Sequence, residues 1–310
     1  MSTADWSDPV PGPGSKQGAA GDGLIEKVWR AADWVQAATS MTQSFFRGLT
    51  QETSKSSPED QLDIESVAAG WVENFASRLK NLRDATRDIP ESPSDEDIVS
   101  VAIGALDRSG AKKGLAISVA SKLADVGIWP AVDLKTGSNG LQLIKQIWQM
   151  PGGEGDGVAL EEFLRRSIAE EQFKAPQAAR WAADLICPPM MRVALSGGAD
   201  AHGHDGEIWQ NPIPLCVVLS ASKSPDDEAA AIEILQLLEA RGVNLSSASR
   251  YGIDALSVAK MTKMHELANY LGRYEVTREL SAAVNQEQSA ESLQAARRVA
   301  SRRSAVSAGL

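Results

Sequence analysis

From Leu24 onward, apolar residues recur at helical spacing. Leu24, Val28, Ala31, Val35, Ala38, Thr42 and Phe45 lie three or four positions apart, with Trp29, Trp34, Phe46 and Leu49 beside them. That period marks one face of an amphipathic helix. Gly48 and the polar stretch 51–57 predict its end. A second helix is announced by Ser57 as cap, Pro58 at the first helical position, and Glu59 and Asp60 in the first turn. Ile64, Val67, Ala68, Trp71, Val72, Phe75, Leu79 and Leu82 form its stripe. The two helices are expected to pack as a hairpin, and their aromatic residues keep the spacing of a core.

Residues 84–97 hold six acids against one arginine, with Pro90 and Pro93. This predicts a linker whose end caps the next helix, Ser94 standing before Asp95, Glu96 and Asp97. Short helical patterns follow at 98–106, 115–126, 141–148, 158–171, 178–186, 190–195, 232–240, 255–261 and 264–270, separated by glycine-centred turns. A last one covers 276–300. No stretch alternates for long with period two, so the chain is expected to be all-α. Paired short helices repeating along a chain point to a solenoid.

Residues 190–271 resemble the ankyrin-repeat family, whose unit is about 33 residues long. Ile213-Pro214-Leu215-Cys216 is similar to the helix start, with Ile for Thr and Cys for His. Residues 232–244 are similar to the second helix and its glycine turn, and residues 250–259 to the next finger and helix start. Val193-Ala194-Leu195-Ser196-Gly197-Gly198-Ala199-Asp200-Ala201 resembles the end of a preceding unit, with His204-Asp205-Gly206 as its finger. Gly198 and Gly242 stand 44 positions apart, a longer unit, with the excess in the polar stretch 220–230. A looser similarity reaches back to residue 98. The expected order is a disordered tail over 1–23, a helical hairpin domain over 24–95, ankyrin-like repeats over 96–275, and a C-terminal helix with a basic tail over 276–310.

The resemblance implies non-catalytic binding of a protein partner through a concave face and projecting fingers. The candidate contacts are His202, His204, Asp205, Glu207 and Trp209 on one finger, and Ser247, Ser249, Arg250 and Tyr251 on the next. Tyr, Trp and Arg are the types that most often dominate interface energy. Three roles fit: an effector delivered into a host cell, an immunity or inhibitor protein, and an adaptor. The alternative is an enzyme with its site in the N-terminal or central helical region, between about Leu24 and Asp184, and with the repeats as a docking surface.

Composition narrows the partner. Lys plus Arg is 31 against 41 for Asp plus Glu, a formal charge of −10, which disfavours generic nucleic-acid or anionic-membrane binding. Cys187 and Cys216 are too few for a disulfide framework and predict two buried thiols in a reducing compartment. The longest uncharged run, residues 208–222, is interrupted by Pro212 and Pro214, so no transmembrane helix is expected. The first 23 residues lack a basic start and an apolar centre, so no secretory signal is expected. A cytoplasmic location follows by default. Oligomeric state is left open.

Two loops carry ligand-like residue types. Asp200, His202 and His204 alternate, and on an extended segment they would share a side as metal ligands do. An ankyrin-like finger accounts for them without a metal, and none is expected. Gly152-Gly153-Glu154-Gly155-Asp156-Gly157 echoes a calcium loop, but its register puts Gly152 and Phe163 at ligand positions, and neither side chain can serve. No lysine follows to make it a phosphate loop. Nucleophile-elbow, zinc-protease and dinucleotide-binding motifs are missing, so no cofactor is expected. Arg297, Arg298, Arg302 and Arg303 make the C-terminus basic. They are read as a solubilising end whose charges suit a helix C-terminus, with nucleic acid or an acidic partner as the alternative.

Overall fold

The computed structural model describes residues 31–55, 61–87, 93–134, 139–153, 155–175, 177–203, 210–223 and 227–307. Among them the chain is all-helical, without a strand. The helices are α1 (Ala31–Lys55), α2 (Gln61–Thr86), α3 (Asp95–Arg108), α4 (Lys113–Asp125), α5 (Asn139–Gln149), α6 (Asp156–Ser167), α7 (Ala178–Asp184), α8 (Pro188–Ser196), α9 (Ile213–Ala221), α10 (Glu228–Glu239), α11 (Ala255–Met261) and α12 (His265–Ser307). A 3-10 helix, Glu170–Lys174, precedes α7. The chain divides into two compact units, one ending at Ile168 and one beginning at Ala169.

In the first unit α1 packs on α2 and α3, α2 on α4, α3 on α5, and α4 on α6. The expected hairpin is present. Phe45 and Phe75 stack with centroids 4.5 Å apart, an arrangement that adds about 1 kcal/mol to the area they bury. The buried stripe of α1 is Trp34, Ala38, Thr42, Phe45 and Leu49, while Val35 is exposed. The expected stripe therefore holds at Ala38, Thr42 and Phe45, and only in the first turn does the larger Trp34 take the buried position in place of Val35. α1 runs past Gly48 and ends at Lys55, within the polar stretch expected to stop it. A mid-helix glycine costs about 1 kcal/mol, less than burial of Phe45 and Leu49 on either side returns.

Ser94 caps α3 as expected. Its Oγ accepts from the Asp97 amide at 3.1 Å, and the Ser94 amide donates to Asp97 Oδ2 at 2.9 Å. The acidic stretch at 84–97 lies within the unit that ends at Ile168. Arg83 on α2 reaches over it, with Nε 2.9 Å from Asp95 and Nη2 donating to the Gly127 carbonyl at 3.2 Å. The expected boundary at 95/96 lies inside the first unit, because α1 and α2 cover α3 and α4. In the same unit Trp129 meets Phe163 edge to face at 5.1 Å, and Lys113 Nζ lies 3.6 Å over the Trp148 ring.

In the second unit α7 packs on α8 and α9, α8 on α10, α9 on α10 and α11, and α12 on α10 and α11. In each unit, consecutive helices pair and every second helix touches. That alternation is consistent with solenoid-like stacking. Pro214 sits in the first turn of α9, where its missing N–H costs nothing. Leu235, Leu238 and Ile234 of α10 are buried, as expected. Arg192 of α8 pairs with Glu233 of α10, and Arg241 Nη1 donates to the Leu195 carbonyl at 2.9 Å. Cys187 and Cys216 are both buried thiols. The segments expected at 264–270 and 276–300 form one helix, so the boundary at 275/276 falls inside α12. Gly272 lies between them, but its only cost is glycine's lower propensity, and nothing breaks the helix there.

One device ends helices repeatedly. Gly242 has φ +76°, and the next amide, that of Val243, donates to the Leu238 carbonyl at 3.1 Å. The same six-residue closure follows Gly198, where Ala199 bonds Ala194. At α11 the left-handed position is held by Lys263, φ +61°, with Met264 bonding Ala259 at 3.0 Å. This is the Schellman closure, in which a left-handed residue lets the chain turn back into the core.

Candidate functional site

The two segments expected to project as fingers differ in how far they can be described. His204, Asp205, Glu207 and Trp209 lie outside the described residues. His202 is exposed, and its amide donates to Asp200 Oδ1 at 2.8 Å, so the Asp200 side chain turns the chain just after α8. No group of three or more His, Cys, Asp and Glu that could hold a metal gathers among the described residues.

The second finger, residues 244–254, is described throughout. After the Gly242 closure buries Val243 and Leu245, Asn244 Oδ1 accepts from the Ser246 amide at 3.2 Å, and the Ser247 amide donates to the Asn244 carbonyl at 3.1 Å. The chain then makes a tight reversal. The Ser249 amide donates to the Ile253 carbonyl at 2.8 Å, and the Gly252 amide to the Ser249 carbonyl at 2.9 Å. Gly252 has φ +75°. A three-residue loop that ends in a left-handed glycine is a standard way to reverse the chain, and glycine takes that position without the backbone strain a Cβ brings.

Ser249 holds the loop from inside. Its Oγ accepts from the amides of Tyr251 and Ile253, each at 3.3 Å. It is only 7% exposed. The Ser249 hydroxyl thus shapes the loop, holding two part-buried amides from within. Asp254 closes the finger by capping α11, its Oδ1 accepting from the Ser257 amide at 2.6 Å.

The loop displays what it does not bury. Arg250 is exposed, Tyr251 is 61% exposed and Ile253 is 47% exposed. Ser247 is half-buried. Ile253 was not among the contacts expected from the sequence. Its signal was a β-branched residue directly before a capping aspartate, where no helix face can bury it. A phenol, a guanidinium and a branched aliphatic side chain on a hydrogen-bonded loop make a small mixed surface of the kind that anchors protein interfaces.

The fold class is thus all-α, in two units. No family model matches the chain, and no curated protein matches it.

Proposed function

We propose that the chain is a non-catalytic protein-binding module whose second-finger loop contacts a protein partner. The observation that carries this reading is the exposed Tyr251 on a loop pinned by Ser249. Exposed aromatic residues on rigid loops lose little conformational freedom on binding, so more of their contact area is converted into affinity. The ankyrin resemblance supports the same reading, since fingers in that family project from one edge of the stack. Alternate contacts between helix pairs support it too. Effector, inhibitor and adaptor roles would all use such an edge, and the partner's identity would choose among them.

The test is affinity capture with the full chain and with Tyr251→Ala plus Arg250→Ala. Loss of a stoichiometric protein partner from the double variant, with unchanged helicity, is the expected result. A partner retained equally by both chains would overturn this placement.

A further inference from the structure

The first turns of α12 are stapled to the second unit. The Leu267 amide donates to Glu228 Oε1 at 2.8 Å, the Leu245 amide donates to the Tyr274 hydroxyl at 3.3 Å, and Arg278 Nη1 donates to Asn244 Oδ1 at 2.7 Å. Beyond Arg278 the helix leaves that support. Every side chain from 276 to 289 is exposed. Three of them are large and apolar and stand at intervals of four: Val276 at 56%, Leu280 at 63% and Val284 at 51% exposure. The helix nonetheless continues to Ser307. From Val276 onward it is roughly 45–50 Å long. A solvated helix with an apolar ridge and no packing is marginal by itself.

Its charge is divided along its length. Glu275, Glu279, Glu287 and Glu291 make the first half acidic, with Arg278 as the one base among them; Arg297, Arg298, Arg302 and Arg303 follow with no acid after Glu291. The sequence-based account of these arginines places them at a helix C-terminus. The helix ends further on, and its last turn holds no basic residue. The helix dipole acts within about one turn, so it does not explain them. A second copy of the same helix, reversed, does: basic half meets acidic half twice, and each copy's ridge at 276–284 lies along the other's 294–302, which carries Ala295, Ala296, Val299 and Ala300.

We propose that α12 pairs antiparallel with α12 of a second copy of this chain. The pairing is a two-fold contact in which one patch recognises itself. Its ion pairs direct register and partner choice, and apolar burial supplies the adhesion.

The experiment is light scattering on the full chain after size-exclusion chromatography. Three species are compared: the wild type, a variant with Arg297, Arg298, Arg302 and Arg303 changed to Glu, and one with Glu275, Glu279, Glu287 and Glu291 changed to Lys. The wild type should run at twice its 33.0 kDa chain mass. Its dimer should weaken about tenfold or more between 50 and 500 mM NaCl, because exposed ion pairs are screened. Each variant should be monomeric alone, and a mixture of the two should form a heterodimer. Ser301→Cys gives the orientation, since antiparallel helices hold the two copies of residue 301 far apart and no disulfide-linked dimer should form. A wild-type monomer at 100 µM would overturn the proposal. So would dimerisation untouched by charge reversal, a covalent dimer through Cys at position 301, or a monomer that elutes with nucleic acid. Circular dichroism checks that the substitutions leave helicity intact.

Discussion

The Tyr270 hydroxyl donates to Glu239 Oε2 at 2.6 Å, joining α12 to the last turn of α10. Burial raises the Tyr270 pKa above its ordinary value of 10, and the hydrogen bond to Glu239 and that carboxylate's negative charge raise it further, with Tyr274 adding and Arg273 opposing. The folded protein therefore keeps this phenol protonated at pH values where the unfolded chain loses the proton. The group's contribution is complete below pH 10 and is lost as the pH rises beyond it. Tyr270→Phe should lower stability at neutral pH while flattening the decline above pH 10. Urea unfolding at pH 7, 9.5 and 10.5 measures both, and an equally steep alkaline decline in the variant would contradict the assignment.

Ser249→Ala removes the acceptor from two loop amides at once. A loss of about 1–2 kcal/mol is expected, together with faster hydrogen exchange at Tyr251 and Ile253. Exchange unchanged at those two amides would show that the loop holds its shape without the hydroxyl.

Lys263 and Gly242 occupy equivalent left-handed positions after α11 and α10. Lys263→Gly should raise stability by about 0.5–1 kcal/mol, since relief of the left-handed strain outweighs the added chain entropy. Gly242→Ala should cost about 1 kcal/mol for strain alone, because a Cβ there meets nothing within 4 Å. The two thermal shifts should have opposite signs.

Gly197→Ala tests a different limit. A Cβ at that position would stand 2.6 Å from Phe173 Cβ, too close for any real contact. Either the 3-10 helix Glu170–Lys174 moves or α8 does, and about 1–3 kcal/mol should be lost. A neutral effect on the melting temperature would mean that Phe173 is free to shift.

Phe75→Ala empties the stacked pair in the first unit and should cost about 3–5 kcal/mol there. Denaturant titration followed by Trp34 and Trp71 fluorescence reports on this unit, and a loss below 1 kcal/mol would show that Phe45 can refill the space.

Much of this architecture is local, and local chemistry is written in the chain. The Ser94–Asp97 cap, the proline in the first turn of α9, the Gly198 and Gly242 closures and the buried faces of α2 and α10 each depend on a few neighbouring residues. They formed where their side chains predict. Errors came where distant contacts outweighed local preference. α1 runs through Gly48 because Phe45 and Leu49 are held by packing, and the segments expected at 264–270 and 276–300 run on as one helix. Arg83, before α3, donates to the carbonyl of Gly127, 44 positions away, a contact that no local pattern announces.

The candidate site divides in the same way. Arg250 and Tyr251 were legible because a turn-forming glycine follows them. That Ser249 points inward, and that Ile253 remains exposed beside it, depended on hydrogen bonds across the loop. The sequence by itself determined the helices, their caps and the residue types available for recognition, since these follow from periodicity and backbone chemistry within one or two turns. Only the tertiary structure decided which helix pairs touch, where the two units divide, and that residues 276–289 of α12 stand exposed. Those outcomes depend on apolar faces meeting across long separations, which no single segment encodes.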